Sequence, residues 1–150
     1  MEKCKIANSD SGLFMSRVLL GIIFVAHGIL KLQTGVATTA GFFASIGIPA
    51  ALFFAWVVTL IELIGGVMLI LGIGIRLVTS LFIIMMMVSV VKAKWSMGLI
   101  VPPVKQGVGA EFELAILAGL IPLWFLGGGT CTMSPKFLKK IEGQKEETKQ

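Results

Sequence analysis

The chain has 150 residues, of which 56% are hydrophobic and 14% are charged, whereas about 25% of residues are charged in an average soluble domain. A soluble fold of this length buries only about 70% of its surface and could not hide so much apolar area. The high hydrophobic fraction also excludes a disordered chain, and two cysteines are too few for a disulfide-dense secreted module. The composition therefore predicts a membrane protein.

The positive charge, +5 in total, lies largely in the two tails of the chain. Basic residues that flank apolar runs are typical of topology signals and of contacts with anionic lipid. No basic face interleaved with aromatic residues is present in the sequence. We therefore expect the lipid bilayer, and no nucleic acid, as a partner.

Four apolar runs predict the fold class, which is an all-α, polytopic membrane protein with a four-transmembrane-helix bundle. A helix needs about 20 residues to cross a hydrocarbon core of roughly 30 Å. The predicted spans are residues 13–31, 49–71, 75–94 and 110–127, between an N-terminal tail of residues 1–12 and a charged tail of residues 135–150. Four spans place both tails on one side, and the excess of Lys and Arg there predicts cytoplasmic termini.

The segments outside the spans carry two further expectations. The connection of residues 33–48 contains Phe42, Phe43 and Ile46, and it either lies in the membrane interface or re-enters the membrane. Cys4 and Cys131 would both face the reducing compartment, where inert thiols are favoured over a redox pair. No CxxC motif or metal-ligand spacing occurs, so no metal site is predicted.

Ionisable residues within the first span share one helix face. Arg17, Gly21, Phe24, Gly28 and Lys31 recur at alternating steps of four and three residues, which places them on one stripe. His27 lies beside this stripe. Since glycines permit close helix approach and intramembrane charges face the bundle interior, we expect this to be the packed face.

The second span carries one acidic residue next to two glycines. Gly65 and Gly66 follow Glu62 by three and four residues, so either a neighbouring helix packs on that face or a ligand reaches the carboxylate. At 1.5 Å per residue, Arg17 lies about 6 Å from the cytoplasmic end of the first span and Glu62 about 13 Å from the cytoplasmic end of the second. An extended arginine side chain covers this difference, which predicts an ion pair between the two residues. Such a pair either serves chemistry or only fixes the helix register.

The fourth span carries two acidic residues near its start. Glu111 shares a face of small residues with Ala115, Ala118 and Pro122, whereas Glu113 points nearly opposite. We therefore expect Glu111 to face the bundle interior. It would lie toward the outer side of the membrane, where it could form a cluster with His27 and Lys31. Glu113 is expected nearer the interface.

Together, these stretches resemble the DoxX family of small four-helix membrane proteins, over most of residues 12–134. The matching motifs are Arg17-Val18-Leu19-Leu20-Gly21 continuing to His27-Gly28 and Lys31-Leu32, Gly47-Ile48-Pro49, Glu62-Leu63-Ile64-Gly65-Gly66, Leu71-Gly72 with Arg76, and Gly109-Ala110-Glu111-Phe112-Glu113-Leu114. The resemblance implies a protein of the cytoplasmic membrane, in a family that includes a subunit of thiosulfate:quinone oxidoreductase. The polar positions that match are Arg17, His27, Lys31, Glu62, Arg76 and Glu111.

We therefore expect a quinone-linked oxidoreductase or the membrane subunit of a redox complex. A quinone needs an apolar slot with a few groups that exchange protons. The residues assigned to catalysis are Glu62, His27 and Glu111, and those assigned to binding the quinone are Arg17, Lys31 and Arg76. The sequence shows no haem, flavin or metal ligand set and does not fix the cofactor, for which a quinone is the candidate. The electrons would come from a partner, such as a soluble redox enzyme, or directly from a small substrate.

Two alternatives come from other functional classes. One is a transporter of protons or a small solute that uses Glu62 as its intramembrane site, which would require a homo-oligomer because four spans are few. The other is a non-catalytic scaffold that recruits soluble redox enzymes through its tails.

Overall fold

The computed structural model describes residues 8–95, 98–100 and 109–129, and within these residues every regular element is helical. The elements are α1 (Asn8–Thr34), α2 (Val36–Ser45), α3 (Ala51–Leu71), α4 (Ile75–Ser89), which continues as a π-helical turn (Val90–Lys94), and α5 (Glu111–Leu126). The all-α class is thus confirmed. Cys4, Cys131, residues 1–7 of the N-terminal tail and the tail of residues 135–150 lie outside the described residues.

Among the described residues, three helical segments are long and apolar enough to cross a membrane, namely Ser11–Thr34, Ala51–Leu71 and Ile75–Lys94. They coincide with the first three predicted spans. The fourth apolar run also forms a helix, but α5 has 16 residues and is about 24 Å long, less than the roughly 30 Å of a hydrocarbon core. Four crossings therefore stay a prediction. The connection of residues 33–48 contains the short apolar helix α2.

The four longer helices form a ring in which each packs against two others. α1 packs most extensively against α3, α4 packs against α5, and contacts of α1 with α5 and of α3 with α4 close the ring. Neighbouring helices are antiparallel. We call the end where α1 begins and α5 ends the terminal end. The opposite end, where α1 ends and α2 packs against α3, is called the cavity end.

Glycines allow α3 to approach both of its neighbours. A Cβ on Gly66 would lie 2.9 Å from the carbonyl oxygen of Gly21 and 3.0 Å from the amide nitrogen of Val25, so no side chain fits there. On the adjacent face, Gly65 receives the ring of Phe82, which stacks on Phe24 with 3.6 Å between ring centroids. The glycine-bearing faces are therefore packed faces, and a neighbouring helix packs at both Gly65 and Gly66.

The turn from α3 to α4 consists of residues 72–74 and needs glycine at two positions. Gly72 and Gly74 have φ angles of 77° and 58°, in the left-handed region that residues with a Cβ rarely adopt. Gly72 also closes α3 as its C-cap, with its N–H bonded to the carbonyl oxygen of Leu69. This short turn holds α3 and α4 antiparallel and side by side.

Candidate functional site

A cavity of about 760 Å³ lies at the cavity end, between α2, α3 and the last turns of α4. Its volume is in the range of small-molecule binding sites. The wall is mostly aromatic and aliphatic, and its main apolar contributors are Phe42, Phe43, Phe54, Val57, Val58, Ile61, Ile84, Met85 and Met86. The polar side chains in the wall are Lys31, Thr38, Thr39, Glu62, Ser89 and Lys92.

Lys31 and Glu62 form an ion pair in the wall of this cavity. Lys31 lies in the last turn of α1, and its Nζ donates to Oε1 of Glu62, which is in the middle of α3. Glu62 is only 4% exposed, and its Oε2 has no hydrogen-bond partner among the described residues. A carboxylate so deeply buried is costly unless it is paired, and the Lys31 ammonium pairs with it.

The helix register explains why Lys31, rather than Arg17, reaches Glu62. Gly28 packs against Leu63, which places Lys31, almost one turn further along α1, beside Glu62. Arg17 precedes Lys31 by 14 residues, or about 21 Å along the helix axis. The predicted Arg17–Glu62 ion pair is therefore wrong, because close packing at the glycines sets a register in which the two residues lie at different depths.

Arg17 instead lies at the terminal end. It is 1% exposed, and its Nη1 donates to the carbonyl oxygen of Gly128 over 3.2 Å, so that it joins α1 to the segment that follows α5. Its guanidinium also lies 5.2 Å from the centre of the Phe14 ring, within the range of a cation–π contact. Arg76, at the start of α4, is exposed at the same end. Neither arginine lines the cavity.

The burial of the two acidic residues of α5 is the reverse of the sequence prediction. Glu113 is buried, at 7% exposed, whereas Glu111 is exposed. The prediction was wrong because it took the face of small residues as the packed one. α5 instead buries its bulky residues Ile116, Leu117, Leu120 and Leu123, and Glu113 shares their face.

Glu113 is connected to the cavity through Ser89. Ser89 lines the cavity, and its hydroxyl donates to Oε1 of Glu113 over 3.0 Å. Sequence reasoning did not single out Ser89. The available signal was a hydroxyl residue at the end of an otherwise apolar run, next to Lys92 and Lys94.

His27 is exposed and does not line the cavity. Its Nδ1 lies 2.9 Å from the carbonyl oxygen of Ile23. Because a carbonyl only accepts hydrogen bonds, this contact places the proton on Nδ1. The imidazole ring also lies 5.8 Å from the ring of Phe112. His27 precedes Lys31 by about one turn of α1, so it lies near the ion pair but outside the cavity.

The predicted polar residues therefore do not converge on one pocket. Lys31 and Glu62 meet in the cavity wall, and His27 lies nearby. Arg17 and Arg76 lie at the terminal end, and Glu111 is exposed. In the part of the chain that the structure describes, no group of three or more His, Cys, Asp or Glu side chains is arranged to hold a metal ion.

Comparisons with known proteins agree with the family resemblance. The DoxX family profile matches residues 12–95. A Bacillus subtilis (strain 168) protein named "Putative oxidoreductase CatD" is 35% identical over 133 residues, which cover 87% of this chain and 90% of that protein. "Uncharacterized membrane protein Rv3486" of Mycobacterium tuberculosis (strain ATCC 25618 / H37Rv) is 30% identical over 132 residues, covering 83% and 80%. No solved structure matches the chain significantly.

Proposed function

Because this chain belongs to the DoxX family, we propose that this membrane protein binds a quinone in the cavity between α2, α3 and α4. In this proposal it takes part in quinone-linked oxidation and reduction, either as an oxidoreductase or as the membrane subunit of a redox complex. It lies in the cytoplasmic membrane with both termini in the cytoplasm. The name of the Bacillus subtilis relative, which contains the word oxidoreductase, supports this class of function.

The observation that carries the proposal is the Lys31–Glu62 ion pair in the wall of an otherwise apolar cavity. A quinone is an apolar ring with two carbonyl oxygens and, in natural quinones, an isoprenoid tail. The aliphatic and aromatic wall suits the ring and the tail, while a few polar groups fix the orientation. A lysine that served only helix packing would not need to border a cavity of about 760 Å³.

The two side chains have complementary chemical roles. The Lys31 ammonium donates a hydrogen bond to a quinone carbonyl oxygen, and Glu62 takes up or returns a proton at its Oε2, which has no partner among the described residues. Reduction of a quinone to a quinol consumes two electrons and two protons. The electrons come from a soluble redox enzyme or a small reduced substrate, and this chain binds the quinone and moves protons.

Replacing Glu62 by glutamine is expected to weaken the binding of a short-chain ubiquinone about 10-fold or more. A neutral amide no longer holds the Lys31 ammonium in place, and hydrogen bonds to charged groups contribute about 1.5–3 kcal/mol. The measurement is the Kd of the purified full-length protein in lipid nanodiscs. Glu111→Gln is the matched control because it makes the same change at an exposed carboxylate, and it should bind like the wild type.

Other results would contradict the proposal in distinct ways. Equal affinity in Glu62→Gln and wild type would remove the ion pair from the site. A wild-type protein that binds no quinone but moves protons into liposomes would favour transport. If neither occurs and deletion of the tails abolishes recruitment of a soluble enzyme, the scaffold function is the correct one.

A further inference from the structure

A second buried carboxylate is connected to the cavity through the hydroxyl group of one residue. Ser89 contributes to the cavity wall and donates to Oε1 of Glu113 over 3.0 Å. Glu113 is buried, at 7% exposed. Its Oε2 is buried as well and has no hydrogen-bond partner among the described residues. A carboxyl group in this position is costly in an apolar bundle, and such residues are usually functional.

The hydrogen bond of Ser89 differs from those of the other hydroxyl residues on α3 and α4. Thr59, Thr79 and Ser80 donate to carbonyl oxygens four residues earlier in their own helices, over 2.7–2.8 Å. Ser89 donates across to α5 instead. It is the last α-helical residue of α4, and the next residues form a π-helical turn. Such turns are frequent at functional sites.

We propose that Ser89 and Glu113 form a second proton-exchange site of the cavity, in which Ser89 contacts a hydroxyl group of the ligand and Glu113 acts through Ser89. The inference rests on the proposed function, because it assigns the quinol hydroxyl as the group recognised there. Lys31 donates to a carbonyl oxygen, whereas Ser89, whose own proton is directed to Glu113, accepts from a hydroxyl. The two polar positions thus distinguish the oxidised and reduced forms of the ligand.

The proton transfer balances without any further reactant. The O–H bond of the ligand breaks and its proton forms a bond to Oγ of Ser89. At the same time the hydroxyl proton of Ser89 moves to Oε1 of Glu113. The products are a deprotonated ligand oxygen, an intact serine hydroxyl and a neutral carboxyl group. The reverse transfer returns the proton to the ligand, and no electron changes place in either direction.

Other charged groups are close to this end of the bundle and set the controls. α5 packs against α4 and α1. The titratable residues at this end of the described elements are Lys92 and Lys94 on the π-helical turn, His27 and Lys31 on α1, Glu62 on α3 and Glu111 on α5 itself. Glu111 is exposed and lies two residues before Glu113, so Glu111→Gln separates the loss of a charge at this end from the loss of the buried carboxyl.

The experiment measures the affinity of the full-length protein in nanodiscs for a short-chain ubiquinol and for the corresponding quinone. Ser89→Ala and Glu113→Gln should weaken quinol binding about 10-fold or more and leave quinone binding within about two-fold. Ser89→Thr keeps the hydroxyl and should restore quinol affinity. Quinol binding should also shift a carboxyl infrared band that is missing in Glu113→Gln and present in Glu111→Gln.

Each failure has its own signature. If Ser89→Ala and Glu113→Gln bind quinol like the wild type and no carboxyl band shifts, the inference is overturned, while weaker quinone binding by Glu62→Gln would still support the proposed function. If the wild type binds neither form of the ligand, the proposed function is wrong and this inference with it. Because Glu113→Gln preserves side-chain size, it keeps the test valid if Ser89→Ala does not fold.

Discussion

Replacement of Lys31 by methionine is expected to lower the free energy of unfolding by about 3 kcal/mol, since it leaves the buried carboxylate of Glu62 uncompensated. Lys31 itself is 22% exposed, so the loss is at the lower end of the range for buried pairs. The remaining charge would be that of Glu62, which is 4% exposed. Methionine has a length similar to that of the lysine chain, so the loss reflects the charge rather than packing. The measurement is unfolding of the purified protein in mixed micelles with increasing denaturing detergent.

Two companion variants identify the source of this loss. Lys92→Met removes a second lysine of the same cavity, but one that is exposed, and should change the free energy of unfolding by less than about 1 kcal/mol. The double variant Lys31→Met with Glu62→Gln removes both charges and should regain most of the lost stability. Equal unfolding curves for Lys31→Met and wild type would show that the pair contributes no net stability.

Truncation of Phe82 to alanine is expected to cost about 3 kcal/mol or more. Phe82 is fully buried, its ring stacks on Phe24 at an interplanar angle of 8°, and it also packs onto Gly65. Lipid tails are as apolar as side chains, so packing contacts rather than burial from water hold membrane helices together. The same detergent-unfolding measurement reports the loss.

Phe53 provides the matched control for Phe82. It lies on α3 and is 64% exposed, so Phe53→Ala removes the same atoms from a surface that packs against little of the protein. Its free energy of unfolding should change by less than about 1 kcal/mol. A comparable loss in both variants would mean that the stacked pair is not a centre of helix packing.

The helices were predictable because long apolar runs impose them. In a hydrocarbon environment the backbone must satisfy its own hydrogen bonds, so any apolar run of about 20 residues forms a helix. The glycines at positions 21, 28, 65 and 66 also indicated the packed faces correctly, because they lack the Cβ that would keep two helices apart. Whether α5, with 16 residues, crosses the membrane stays a prediction.

The partners of the charged residues were less predictable, because they depend on the register between helices. The sequence paired Glu62 with Arg17, which lies 14 residues, or about four helical turns, before the actual partner Lys31. The small-residue rule also failed on α5, where Leu117, Leu120 and Leu123 face the core. A helix buries small residues only where another backbone comes close, and the sequence of α5 alone does not show where that happens.

The most direct test of the account is photolabelling of the protein in its membrane with an azido-quinone, followed by mass-spectrometric mapping of the modified residues. We expect labels on the cavity wall formed by Phe42, Phe43, Met85 and Met86. Excess unlabelled quinone should suppress them, and Glu62→Gln should reduce them. Labels confined to lipid-facing residues such as Phe53 and Leu77, without competition, would contradict the cavity as a quinone site.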